Sequence, residues 1–121
     1  ARAPANVRLL GVIGDAQLRW LYRNAVGLVA AAHEDFGLTV IEAAAYGCPV
    51  AALRAGGYLD TVVEDETGVL IEQPEPRTVA DAVRRLRASS WDATRLRAHA
   101  AGFSEERFAA RLREVVRSVS P

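Results

Sequence analysis

Two glutamates flank a glycine in the stretch HEDFGLTVIEAAAYG, residues 33–47. Glu34 and Glu42 are separated by seven residues, and Gly37 lies between them. Carboxylates accept hydrogen bonds in pairs, which suits the vicinal hydroxyls of a sugar or a ribose. Because Gly37 has no side chain, a ligand group can approach the backbone closely at this position. The spacing therefore predicts that one ligand binds between two carboxylates.

The elements on either side of Gly37 predict an anion site. Residues 27–32 are an apolar run typical of a buried strand, and a helix is predicted to begin at Leu38. The first backbone N–H groups of a helix have no intrahelical acceptor, and the helix dipole is positive at that end. A phosphate above Leu38 and Thr39 is then expected to bind without a cationic side chain. Asp35 has a simpler role available, which is to cap this helix.

Alternating strands and helices predict an α/β fold with a parallel sheet wrapped by helices. The predicted strands are residues 7–10, 27–32, 49–53 and 69–71. The predicted helices are residues 15–26, with Asp15 as a cap, 57–64, 78–87 and 92–101, and a last helix capped by Ser104. We expect one domain over residues 1–121, with an α/β portion (7–75) and a helical tail (76–121).

Gly56 and Gly57 follow the strand at 49–53, at a second turn from strand to helix. Ligands of parallel sheets bind outside the carboxyl ends of the strands, where both this turn and the HEDFG segment are expected. Two interpretations stay open. The paired glycines line the sugar side of a pocket opposite Glu34, or they only make a tight turn.

Composition and charge exclude several classes of protein. All 15 basic residues are arginine and are balanced by 15 acids, so no overall field attracts nucleic acid. Residues 76–121 contain ten arginines, and the arginine-rich helices predicted there could contact acidic lipid headgroups, although a solvated helix surface is the simpler interpretation. Cys48 is the only cysteine, which excludes an internal disulfide and a thiolate metal cluster and favours a reducing compartment. We expect this thiol to be buried.

Several motifs in the same order resemble the nucleotide-sugar site of retaining GT-B glycosyltransferases of family 4. The resemblance covers residues 7–108 and lies in the spacing of Glu34 and Glu42, in Phe36-Gly37-Leu38, in Glu42-Ala43, in Gly47-Cys48-Pro49-Val50, in Gly56-Gly57, in Asp60-Thr61-Val62 and in Thr67-Gly68-Val69-Leu70. Within that family, HEDFG, GGYLDTV and the closing Phe103-Ser104 with Arg107-Phe108 most resemble a mannosyltransferase branch.

The resemblance implies a fold and a reaction. The fold is a truncated Rossmann-like sheet, the second domain of a GT-B enzyme, in which the first two strands and the acceptor-binding N-terminal domain have no counterpart. The reaction is transfer of a hexose, with mannose as the narrower expectation, from a GDP- or UDP-linked donor to a hydroxyl acceptor, with retained configuration and no metal. We expect the 121-residue chain alone to be inactive. The alternative is a non-catalytic nucleotide-sugar-binding or interaction module of the same fold.

The resemblance also implies roles for individual residues. Glu42 matches the residue that binds the ribose hydroxyls, and Glu34 matches the one that contacts hydroxyls of the donor sugar. Taken alone, Glu42 would be an ordinary surface glutamate of a helix. The implied donor-binding set is Glu34, Phe36, Gly37, Leu38, Thr39, Glu42, Gly56 and Gly57, with the backbone of Val12 and Ile13 near the base and no catalytic residue assigned.

The family strand order 3-2-1-4-5-6 makes residues 7–10 the third strand, whose neighbour is missing from this sequence. Unpaired strand edges need cover. We therefore expect residues 7–10 either to move beside 27–32 or to pair with a second copy of the chain, which would give self-association. Because the sequence has no signal-peptide pattern and no apolar run of about 20 residues, we expect a cytoplasmic protein, with peripheral contact at the inner membrane face as an option.

Overall fold

The sheet consists of three parallel strands that lie in sequence order. The computed structural model describes residues 2–120. Strands β1 (Leu28–Ala30), β2 (Val50–Leu53) and β3 (Gly68–Ile71) pair in the order β1-β2-β3, with Val50 opposite both Leu28 and Gly68. The helices are α1 (Asp15–Asn24), α2 (Leu38–Ala45), α3 (Tyr58–Thr61), α4 (Pro76–Ala88), α5 (Ala93–Ala101) and α6 (Glu105–Val119). The predicted α/β class with a parallel sheet is confirmed.

Helices cover both faces of the sheet, because successive strand residues point to opposite faces. On one side, side chains of β2 and β3 pack with those of α2 and α5 in a buried cluster that includes Val50, Ala52, Leu70, Val40, Ala43 and Leu96. On the other side, the buried cluster is Ala51, Val69, Ile71, Ala82 and Leu86, the last two from α4. Cys48 is buried, as predicted, and belongs to the first cluster.

Two helix caps fix where the C-terminal helices begin: the predicted cap Ser104, and Asp92, which the sequence prediction placed inside its helix. The Asp92 carboxylate accepts hydrogen bonds from the backbone N–H of Thr94 and Arg95, and α5 begins directly after it. The Ser104 hydroxyl accepts from the N–H of Arg107 at the start of α6. Both follow the preference for Asp and Ser at the position before the first helical residue.

Residues 7–10 do not form a strand, so the prediction of a strand there is wrong. Val7, Leu9 and Leu10 are exposed to solvent, and the Val7 N–H donates to the Pro4 carbonyl in a turn. An extended segment becomes a strand only when a neighbour satisfies its backbone groups, and residues 7–10 are not paired with any strand of the sheet. The segment does not join the free edge of β1, so that expected rearrangement is also wrong. Pairing with a second copy stays a prediction.

Three further boundaries differ from the sequence prediction. The first strand, β1, is three residues long. It is not fully buried, since Val29 is 43% exposed, because β1 lies at the edge of the sheet. The cap of α1 is Gly14 rather than Asp15, and the helix ends at Asn24. Helix α3 has only four residues, because the chain leaves it at Val62 to reach the turn before β3.

Helix α6 carries an apolar stripe that is exposed in this chain. Phe108 is 68% and Val119 is 76% exposed, and no residue of α6 is buried. The predicted helical spacing of Phe108, Leu112, Val115, Val116 and Val119 is therefore confirmed as an amphipathic helix. Within residues 2–120, no helix has both the length and the apolar composition needed to cross a bilayer.

Candidate functional site

The two loops that were predicted to lie together do so. The loop after β1 contains His33–Gly37, and the loop after β2 contains residues 54–57. Since β1 and β2 are parallel neighbours, both loops leave the same edge of the sheet. The Gly57 N–H donates a hydrogen bond to the Glu34 carbonyl at 2.8 Å, which joins the loops directly. The first loop is thus supported by the second.

The glycines of the second loop make room for the first loop. A Cβ on Gly56 would clash with the Glu34 carbonyl oxygen, and a Cβ on Gly57 would clash with the backbone of Phe36. Neither glycine lines the concavity formed by residues 34–39. The structure therefore favours a third interpretation of the pair: the close approach that they allow is made by the protein's own backbone.

Gly37 adopts a conformation that a residue with a side chain rarely takes. Its φ of 79° and ψ of 56° are left-handed, and it directly precedes α2. A Cβ on Gly37 would lie 2.6 Å from Cδ1 of the buried Tyr58 ring. The missing side chain makes room for this ring, and the predicted close approach of a ligand group stays a prediction.

The start of α2 presents backbone donors that the chain itself does not use. Among residues 2–120, no side chain caps α2, and the N–H groups of Leu38 and Thr39 donate to no acceptor. Leu38 is 62% exposed. The two residues line an open concavity of about 320 Å³ together with Glu34, Asp35, Phe36 and Gly37. The predicted anion-binding geometry is present, because free amides and the positive end of the helix dipole meet at one surface.

Phe36 lies at the boundary of this concavity. Its ring is 49% exposed and stands edge-on to Phe103, with 6.3 Å between ring centroids. Phe103 in turn contacts His99, whose Nε2 lies 2.8 Å from the Thr61 carbonyl oxygen. The aromatic contacts therefore connect the HEDFG loop to the end of α5. His99 has a structural role in this arrangement.

Glu42 lies in a different concavity from Glu34. It lines a space of about 230 Å³ between α1 and α2, together with Asp15, Leu18, Arg19 and Tyr46. Burial, and next the Glu42 carboxylate, raise the pKa of Tyr22 above its usual value, which shows that this carboxylate lies near α1. The structure does not bring the two glutamates into one pocket. Glu34 shares the concavity of Leu38 and Thr39, whereas Glu42 lies about one turn further along α2 and faces α1.

Two residues of the site region were not singled out from the sequence. Tyr58 lies beneath Gly37, and Arg19 shares the concavity of Glu42. An aromatic residue directly after Gly56-Gly57 is a usable signal for Tyr58, because a glycine in the facing loop can accept its ring. Arg19 had no such signal, since its place depends on how α1 packs against α2.

No group of three or more His, Cys, Asp or Glu side chains in the part of the chain that the structure describes is arranged to hold a metal ion. The diphosphate site expected from the sequence uses backbone amides, so its donor set differs from that of a metal site. A metal-free donor site stays a prediction.

The fold and this site define a class of protein. A parallel sheet with helices on both faces, and a helix start with free amides at the carboxyl end of a strand, are typical of α/β proteins that bind phosphorylated ligands. The family model described as "Glycosyl transferases group 1" matches residues 1–103, so the chain belongs to this family.

Individual relatives agree with this assignment. The chain is 35% identical over 118 residues to D-inositol 3-phosphate glycosyltransferase of Corynebacterium urealyticum, covering 93% of this chain and 28% of the relative. It is 42% identical over 81 residues to the D-inositol 3-phosphate glycosyltransferase of Corynebacterium diphtheriae, which covers 66% of this chain and 19% of that protein. It is 45% identical over 53 residues to sucrose-phosphate synthase of Spinacia oleracea, which covers 44% of this chain and 5% of that protein. The chain thus spans less than a third of the length of each.

Proposed function

We propose that this chain is the donor-binding part of a retaining glycosyltransferase that transfers a hexose from a nucleoside-diphosphate sugar to a hydroxyl acceptor. The observation that carries the proposal is the pair of free N–H groups at Leu38 and Thr39, which lie at an open concavity in a member of the group 1 glycosyltransferases. Negative charge develops on the diphosphate as it leaves the sugar. Oriented amides that stabilise this charge are expected to be the largest contribution of the chain to catalysis.

The separate positions of the two glutamates fit an extended ligand. With the diphosphate over the start of α2, the sugar extends toward Glu34 on one side and the ribose toward Glu42 on the other. The base then lies near the backbone of Val12 and Ile13, because these residues precede α1, whose Asp15 and Leu18 share the concavity of Glu42. In this arrangement each carboxylate accepts hydrogen bonds from hydroxyls of one part of the donor.

Matched glutamate variants test this arrangement. We expect Glu42→Ala to weaken binding of GDP or UDP by roughly 10- to 100-fold, because a hydrogen bond to a charged group contributes about 1.5–3 kcal/mol. Glu34→Ala should weaken binding of the intact nucleotide sugar and leave the free nucleoside diphosphate unaffected. Glu114→Ala, an exposed glutamate of α6, is the matched control and should bind both ligands like the wild type. Isothermal titration calorimetry measures all three.

Two outcomes would contradict the proposal. One is a wild-type protein that binds neither GDP, UDP nor their hexose conjugates. The other is an unchanged nucleotide affinity in Glu42→Ala. Donor binding without any turnover in the complete protein would instead support the non-catalytic module, and turnover by the 121-residue chain alone would contradict its expected inactivity.

The identity of the sugar is a finer proposal. The sequence resemblance favours mannose, whereas the names of the three relatives concern inositol phosphate and sucrose phosphate and do not mention mannose. A thermal-shift screen of GDP-mannose against UDP-linked hexoses decides between them, because a ligand that binds the folded state raises its stability. A larger shift with a UDP-linked hexose would exclude the mannosyltransferase branch.

A further inference from the structure

Tyr58 is a buried polar residue at the first position of α3. It is 2% exposed, although its hydroxyl is a strong hydrogen-bonding group. Its ring faces Gly37 so closely that a Cβ there would lie 2.6 Å from Cδ1 of the ring. The ring therefore limits how far Gly37 can move toward the core.

The conformation of Gly37 sets the direction of the free amides. Gly37 directly precedes the N–H groups of Leu38 and Thr39, so its φ of 79° and ψ of 56° decide how these groups leave the loop. On its other side the loop is fixed by the hydrogen bond from the Gly57 N–H to the Glu34 carbonyl. Gly37 thus lies between one hydrogen-bonded contact and one aromatic contact, both made by the segment 57–58.

Helix α3 is held at its C-terminal end by α5. The Thr61 hydroxyl donates to the Gly57 carbonyl at 3.0 Å within the helix, and the Thr61 carbonyl contacts His99 of α5. A shift of Tyr58 with a displaced Gly37 would therefore disturb the contact with His99. A firm support of this kind keeps binding groups in place before the ligand arrives, which lowers the cost of binding.

The phenol also interacts with two residues of the candidate site. Burial raises the pKa of Tyr58 above its usual value, the Glu34 carboxylate raises it further, and the Thr39 side chain acts in the opposite direction. The hydroxyl therefore lies near both Glu34 and Thr39, which line the same concavity.

We infer that Tyr58 is a positioning residue of the donor site: its ring holds Gly37 in the left-handed conformation that directs the Leu38 and Thr39 amides toward the phosphates of the ligand. The inference rests on the proposed function, since it names a residue that supports the same site. The ring makes the contact that supports Gly37, and the hydroxyl contributes less to the position of the loop.

Three variants of the full chain test this role by isothermal titration with GDP and UDP. Tyr58→Phe keeps the ring, and its dissociation constant should stay within about threefold of the wild type, because one neutral hydrogen bond contributes little. Tyr58→Leu removes the ring and should weaken binding roughly tenfold, the effect of a partly lost charge-assisted hydrogen bond. Leu86→Ala destabilises the opposite buried cluster and should leave the dissociation constant unchanged.

The folded fraction separates positioning from simple loss of folding. Reversible unfolding weakens the apparent dissociation constant in proportion to the folded fraction, because the ligand draws unfolded chain into the folded state. Urea unfolding of each variant gives this fraction, and we expect Tyr58→Leu to bind more weakly than its folded fraction accounts for. If it does not fold, Tyr58→Met replaces the ring with a flexible side chain that fills irregular space in a core, and should show the same weakening.

The outcomes distinguish this inference from the proposed function. An unchanged dissociation constant in Tyr58→Leu, or an equal weakening in Leu86→Ala, overturns the positioning role and leaves the donor site standing. A wild-type chain that binds neither GDP nor UDP overturns both.

Discussion

Replacement of Gly37 by alanine is the sharpest test of how the HEDFG loop is built. The new methyl group would meet the Tyr58 ring, and the backbone would have to keep a φ of 79°. Tyr58 cannot easily move aside, because it is 2% exposed and begins a helix whose last residue, Thr61, contacts His99 of α5. The substitution therefore combines two separate costs at one position.

The expected loss of stability follows from those two costs. A left-handed conformation costs a residue with a Cβ about 1–2 kcal/mol. An extra methyl group in a packed interior costs about 1–3 kcal/mol more. The free energy of unfolding should therefore fall by about 2–5 kcal/mol. A domain with a stability of about 5–15 kcal/mol stays folded when the loss is near 2 kcal/mol.

Urea unfolding followed by circular dichroism measures this loss, and Gly11 supplies a matched control. Gly11 also has a left-handed φ, of 63°, but a Cβ there would have no atom within 4 Å. Gly11→Ala should therefore show the conformational cost alone, and Gly37→Ala should exceed it. Because the packing cost needs the ring, the effect of Gly37→Ala should shrink in a Tyr58→Leu background. Equal losses in the two glycine variants would refute the reasoning.

Two more predictions concern stability. Burial raises the pKa of Cys48 above its usual 9.0 and that of Tyr22 and Tyr58 above 10.0. The unfolded chain loses these protons first, so the contribution of these three groups to the free energy of unfolding should be complete below about pH 9 and fall as the pH rises above it; urea titrations across this range should show the onset move up to about pH 10 in Cys48→Ala. Separately, Asp92→Ala should lower stability by about 1 kcal/mol, since the N–H groups of Thr94 and Arg95 lose their acceptor, whereas Asp92→Asn should lose less. An equal urea midpoint for Asp92→Ala and the wild type would contradict the second prediction.

The local signals in the sequence were sufficient for most of the fold. Helix starts at Leu38, after Asp92 and after Ser104 follow from glycine and capping chemistry within a few residues, and all three are present. The strands β2 and β3 follow from short apolar runs bounded by turns. These features depend on neighbours in the chain, so a single sequence contains the information for them.

The errors arose where a partner distant in sequence decides the outcome. Residues 7–10 are apolar enough for a strand, but a strand forms only where tertiary packing brings the segment beside a sheet edge, and apolar composition does not report that. The burial predicted for β1 failed for a related reason, because only one of its edges is paired and Val29 remains exposed. The place of Glu42 likewise depends on the packing of α1 beside α2, which spacing along the chain does not report.

The glycines have a structural role that the sequence interpretation did not foresee. That interpretation assigned the missing side chain of Gly37 to the approach of a ligand, and left a pocket lining and a tight turn open for Gly56 and Gly57. In the structure all three missing side chains make room for the protein: the Tyr58 ring at Gly37, and the backbone of residues 34 and 36 at the other two. The loop that presents the Leu38 and Thr39 amides is therefore held by internal contacts. A larger residue at any of these glycines would affect the candidate site by displacing its support, even where the open concavity itself is left free.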